Sequence, residues 1–165
     1  AMKSGQIDAI SNTDPVMTKL EQDGAVRIIA DTRTLKGTEQ VFGGPMPAAC
    51  LYAPIAFVRN NPNTAQALTN AIVRALKWLH RASAEDVAKT VPPQYLAGDR
   101  GAYLAALEKT REAYSTDGLI PPAGVQSLYN VLRTFDPAVR DAPALAVGQA
   151  YDNTFVEKAL ARYAR

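Results

Sequence analysis

Apolar residues recur along this chain with two different periods. Ile7, Ala9 and Ile10 suit a short buried strand that Asp8 interrupts. The polar run Ser11-Asn12-Thr13 breaks the pattern, and Asp14-Pro15 opens a helix. Asp is a preferred N-cap, and proline loses nothing at the first helical position because its missing N–H would be unpaired there. Val16, Met17 and Leu20 give this helix an apolar side through Gln22, and Gly24 is placed to stop it in a left-handed conformation. Ala25 to Ala30 reads as a second strand, closed by Asp31. The pattern therefore predicts a β-α-β unit, parallel strands joined by a crossover helix.

Thr32 to Pro47 follows without a period. Its Gly37, Gly43-Gly44 and Pro45 suit turns and close backbone approach, and a loop of this length tends to be functional or mobile. Ala48 to Val58 reads as a third strand, bent or at an edge because Pro54 cannot donate to a ladder. Helical spacing then takes over. Thr64 to Arg81 is the longest predicted helix, with Ala65, Leu68, Ile72, Ala75, Leu76 and Leu79 on one stripe. Val73 and Trp78 lie off it, which predicts cover on more than one side. Ser83-Ala-Glu-Asp86 resembles a capping box, and Asp99 can cap a helix from Arg100 to Tyr114. Pro122 to Phe135, the Asp136-Pro137 start and Thr154 to Ala164 complete a helix-rich tail.

Composition narrows the chemistry. The 165 residues are 47% hydrophobic and 21% charged with a net charge of +2, as a globular domain would be. Basic residues are scattered, so no stripe argues for nucleic acid. His80 is the only histidine and has no neighbouring nucleophile, and the lone Cys50 excludes an internal disulfide or a cysteine-cluster metal site. The glycines do not follow a dinucleotide or Walker spacing. Nothing here argues positively for an enzyme, a metal or a cofactor.

A strand, a polar turn and a capped helix place side chains and free N–H groups where open α/β sheets bind small ligands. Asn12, Thr13 and Asp14 are thus candidate ligand contacts, although a plain connector with a good cap would carry the same residues. Arg33 is the one basic residue of the long loop with a fork able to hold a carboxylate or sulfonate, although an arginine in such a loop is more often simply solvated.

Gly5-Gln-Ile-Asp8-Ala9, then Asp14-Pro15 and Gly24, resembles a pattern of ABC-transporter solute-binding proteins: glycine-x-hydrophobic-Asp-Ala, four or five residues, acidic-Pro. The branch serves nitrate, taurine, aliphatic sulfonates and thiamine-pyrimidine precursors. Asn61-Pro62 before the long helix, Lys77-Trp78-Leu79 within it and Tyr151-Asp-Asn-Thr-Phe155-Val156 near the end are similar to the same branch. The resemblance implies an α/β chain, the later part of a two-lobed periplasmic-binding-protein fold of type II. Residues 1–48 would end the second lobe with its glycine-rich loop, 49–58 would be a crossing strand, and 59–165 would return to the first lobe as helices. It implies a small-molecule ligand between the lobes, a membrane permease as partner, a missing N-terminal lobe, and a periplasmic or extracellular, membrane-associated location. By position, Asp14 matches an acidic residue that faces the cleft and would suit a ligand bearing an amine better than a bare anion. Two alternatives share the architecture. Enzymes that build the thiamine pyrimidine carry a cysteine-rich segment, whereas Ala48-Ala-Cys50-Leu-Tyr has one cysteine. Effector domains of transcription regulators end soon after re-entering the first lobe, whereas a long helical stretch follows Val58.

Overall fold

Helices carry the chain, several of them started by a cap or proline signal. The structure, a computed structural model, describes residues 1–96 and 99–163. The helices are α1 (Val16–Gln22), α2 (Leu35–Phe42), α3 (Ile55–Asn60), α4 (Pro62–Leu79), α5 (Ala84–Thr90), α6 (Arg100–Thr110), α7 (Pro122–Phe135), α8 (Pro137–Arg140) and α9 (Thr154–Arg162). Short 3-10 turns occur at Met2–Ser4, Pro93–Leu96, Arg111–Ala113 and Val147–Gln149. The predicted end of the last helix at Ala164 lies outside the described residues.

The expected α/β architecture is overturned. Among the described residues there is no strand, so neither the β-α-β unit nor the crossing strand is present. The physical reason is pairing. A strand exists through its ladder, and neither 7–10 nor 25–30 has one; the single backbone bond recorded there, Ala25 N–H to Leu20 O at 2.9 Å, belongs to the end of α1. Ile29 is accordingly 85% exposed despite its apolar setting. Two further segments differ from expectation. The supposed loop contains α2, and the supposed third strand turns into α3 immediately after Pro54.

Close contacts group the chain into two compact units, Ala1–Gly37 with Arg81–Tyr114 and Thr38–His80 with Ser115–Arg165. In the first, α6 packs with α1 and α5. Its buried residues are Val87, Ala88, Ala102, Ala106 and Leu107, with Thr18 fully enclosed. Ser83 and Asp86 form the predicted capping box on α5, each side chain taking the other's backbone N–H. Asp99 caps α6 by accepting from Ala102 N–H at 2.9 Å. Gly24 follows α1 at φ +65°, as expected for a glycine stop.

In the second unit α4 packs on α9. Ala65, Thr69, Val73 and Ala159 are buried, while Leu68, Ile72 and Trp78 of α4 are exposed. Half of the predicted apolar stripe, Leu68, Ile72 and Ala75, is therefore exposed while Ala65 is buried, and Val73, expected off the stripe, is enclosed. Asn153 ties the start of α9 to the chain ahead of α7: its side chain accepts from Ile120 N–H at 3.0 Å and donates to Ile120 O at 3.1 Å. The run 44–47 lies tight on α7, where a Cβ on buried Gly124 would meet Pro47 Cδ at 2.7 Å.

Candidate functional site

The segment ahead of α1 is held by its own short polar side chains. Asn12 Oδ1 accepts the Thr13 N–H at 2.8 Å, and both residues are exposed. Asp14 Oδ1 accepts the Thr18 N–H at 2.8 Å, so the carboxylate satisfies a free donor in the first turn. The Asp14 side chain is only 8% exposed. Its other oxygen, Oδ2, is sealed from solvent and accepts no hydrogen bond.

What faces that oxygen is Arg33, with Nη1 at 3.5 Å. The guanidinium is committed first to Asp31 two residues earlier: Nε lies 2.8 Å from Oδ1 and Nη2 2.6 Å from Oδ2. The Arg33 backbone N–H also donates to Asp31 Oδ1, at 3.0 Å. Nη1 is left with longer approaches, to Thr18 Oγ1 and Glu21 Oε2, both at 3.4 Å. Lys109 Nζ, from α6, closes on Glu21 Oε2 at 2.6 Å. Three carboxylates and two cations thus tie the chain before α1, α1 itself, the 31–33 turn and α6 into one network.

The network sets its own ionisation. The hydrogen bond from Arg33 holds the Asp31 carboxyl below its ordinary value of 3.8, against the opposing effect of burial. The bond from Lys109 does the same for Glu21 from 4.5, again opposed by burial. Asp31 in turn raises the Arg33 guanidinium above its already high value. A two-pronged pair of this kind is the strong form of ion pair, and it uses the face of the fork that would otherwise grip a ligand's carboxylate or sulfonate.

The structure therefore brings Asp14 and Arg33 together, but each faces the other. Asn12 and Thr13 face solvent beside them. Sequence reasoning missed Thr18, Glu21, Asp31 and Lys109. The Asp31-Thr32-Arg33 spacing in a turn was a usable signal for the first pair; nothing in the sequence links Lys109 to Glu21. Among the described residues no group of three or more His, Cys, Asp or Glu could hold a metal ion, and Cys50 is free and exposed. No helix among them is long and apolar enough to cross a membrane.

A solved protein structure from Bordetella bronchiseptica RB50 is similar to the whole of this chain, with 51% sequence identity and a TM-score of 0.91. The match covers 100% of this chain and 52% of that one, so the chain spans about half the length of that protein. No curated protein matches it. The model of the NMT1-like family matches residues 1–91, the stretch that contains Asp14, Glu21, Asp31 and Arg33. That family lies within the group of solute-binding proteins for nitrate, sulfonates and taurine. With more than half of its length matched, the chain belongs to the NMT1-like family.

Proposed function

We propose that this chain is part of a solute-binding protein that captures a small solute for ABC-type import, with the ligand held between two lobes. The single observation that carries this reading is the family match over residues 1–91, which includes every candidate contact. Asn12 and Thr13 are the direct contacts. Asp14 and Arg33 belong to the same wall and fix its shape from behind. The charges behind the wall are paired with one another, so its exposed neutral groups favour a ligand that offers hydrogen bonds over a bare anion. The remainder of the polypeptide supplies the opposite wall, a membrane permease receives the solute, and the setting is periplasmic or extracellular. Binding, not catalysis, is the proposed activity, supported by the match to a family made up mostly of binding proteins.

The test is thermal unfolding of the full-length protein with amines, sulfonates, nitrate and pyrimidines. A ligand at a hundred times its Kd stabilises the native state by about 2.7 kcal/mol. One of these classes should raise Tm, and N12A/T13A should weaken that shift without changing Tm of the free protein. Absence of any shift across the panel would sink the reading.

A further inference from the structure

The helices α4 and α9 lie side by side and run the same way. Gln66 Nε2, early in α4, donates to Phe155 O at 2.9 Å, and Lys77 Nζ, late in α4, donates to Tyr163 O at 2.5 Å. The two helices therefore end together, and both ends carry cations. Lys77 meets the ordinary need there, a positive charge against the open carbonyls of a helix C-terminus. Arg74 and Arg162 are placed differently. Each guanidinium carbon stands 5.7 Å from the centroid of the same ring, that of Tyr163. Tyr163 is itself fixed at the end of α9, its N–H donating to Ala159 O at 3.0 Å and its carbonyl held by Lys77.

Like charges are collected here and not offset. Pro62–Leu79 contains no aspartate or glutamate, and Thr154–Arg162 contains only Glu157, which is neither three nor four residues from Arg162. Lys158 is four residues before Arg162, a spacing at which two cations oppose each other on a helix. It too lies over a ring, 5.7 Å from the centroid of Phe155. Arg74, Lys158 and Arg162 are all exposed, and none takes part in an ion pair among the described residues.

Stacking on a ring engages the face of a guanidinium and leaves its N–H edge open, the edge that grips an oxyanion with two prongs. Arg33 supplies the contrast within this protein: its one fork is filled by one carboxylate, that of Asp31. Two forks gathered on one ring, with a third cation beside them, suit an anion with more oxygens than a carboxylate has. We propose that Arg74 and Arg162, held by the Tyr163 ring they share, form a binding site for a phosphate group, borne by an anionic lipid or free in solution, with Lys158 adding charge at its edge. All of these residues belong to the second compact unit and none to the Arg33 network, so the site is independent of the proposed solute capture.

The test uses the full-length protein. Inorganic phosphate is titrated in at constant ionic strength, replacing potassium chloride, while the arginine Nε–H resonances are followed by NMR. In parallel the protein is sedimented with phosphatidylglycerol vesicles and with phosphatidylcholine vesicles. The Arg74 and Arg162 resonances should move with phosphate, or the protein should sediment with the anionic vesicles alone. R74Q/R162Q should weaken that binding at least about tenfold, and R74K/R162K, which keeps both charges but not the forks, should weaken it as well. Y163F keeps the ring and should bind as the native protein does; Y163L should not. Tm of the free protein and its solute-dependent shift should be the same in R74Q/R162Q as in the native protein, which separates this site from solute capture. Vesicle binding that phosphate does not displace assigns the group to a lipid headgroup, and resonance shifts without vesicle binding assign it to the free ion. The proposal is overturned by no binding in either arm, by binding that R74Q/R162Q leaves intact, or by equal affinity of R74K/R162K. Binding of a hexaglutamate peptide as tight as that of phosphate also overturns it, since the surface would then be one for carboxylates.

Discussion

Replacing Arg33 by methionine keeps the side chain's length and removes its charge. Two losses follow. Asp31 loses its two-pronged partner, but its side chain is 38% exposed and water can replace much of the attraction, so this part costs about 0.5–1 kcal/mol. Asp14 is the larger matter. Its side chain is 8% exposed, and Oδ2 has no donor, so without the guanidinium a buried carboxylate stands uncompensated. Breaking a buried pair from one side costs about 3–5 kcal/mol. Here the pair distance is long at 3.5 Å, and Oδ1 keeps the Thr18 N–H, so the cost falls to about 2–3 kcal/mol. The expected total for R33M is about 3 kcal/mol, read as a lower urea midpoint at unchanged m. The cycle with Asp14→Asn isolates the reason. In a D14N background the same change should cost only about 1 kcal/mol, because no buried charge is left behind. An R33M cost under about 0.5 kcal/mol, or an equal cost in both backgrounds, refutes the network as an electrostatic brace. The pH dependence has a definite sign. Asp31 and Glu21 are held below ordinary values of 3.8 and 4.5, so their contribution is complete above those values and is lost as pH falls through the lowered ones. R33M should therefore have a flatter acid limb than the native chain.

Three further substitutions test the packing. Gly124→Ala would set a methyl 2.7 Å from Pro47 Cδ and 3.1 Å from Pro121 Cγ, and two rigid rings give little way; the expected loss is about 1–3 kcal/mol by thermal unfolding, with Gly148→Ala, in open space, near neutral. Ser83→Ala removes the capping box of α5 and should cost about 1 kcal/mol, with faster amide exchange confined to the first turn of 84–90. Asn153→Ala leaves both polar groups of Ile120 without their partners, a loss of about 1–3 kcal/mol that Asn153→Asp should only partly restore, since a carboxylate accepts from Ile120 N–H but cannot donate to its carbonyl.

Helices were legible in this sequence wherever a local signal starts them. The start of α5 at Ser83-x-x-Asp86, of α6 at Asp99, of α8 at Asp136-Pro137 and the full span Pro122–Phe135 follow from capping and proline geometry, which need no information from elsewhere in the chain. Strands are different in kind. The apolar run 25–30 states a preference for burial, but a strand requires a partner's N–H and C=O groups, and none of the described residues supplies them. The helix α2 was hidden by Gly37, which reads as a breaker. In the structure that glycine is required by proximity: a Cβ there would lie 1.7 Å from Asp31 O, inside any permissible contact. The stripe on α4 shows a third limit. Periodicity found Leu68 and Ile72 on one line, yet it cannot say which of two apolar sides this chain covers, and α9 takes the one centred on Val73.

The candidate site was half legible for a related reason. Residue type singled out Asp14 and Arg33 as the groups able to meet a ligand, and the same properties let them meet each other. A carboxylate that caps a helix has one oxygen directed at the backbone, and here folding encloses the second beside a cation. Arg33 is that cation, delivered by a turn whose own Asp31 fixes the guanidinium plane. Once that plane is set, Nη1 points to Asp14, Thr18 and Glu21 together, and Lys109 offsets part of the remaining negative charge on Glu21. Local polar spacing therefore predicts a pair but not its direction. The direction comes from α1 and α6 packing together in the same unit, a long-range event with no trace in residues 11–33. What this leaves at the surface is Asn12 and Thr13, neutral groups on a braced frame. Specificity at such a wall follows from hydrogen-bond geometry more than from charge, because the charges behind it are already paired.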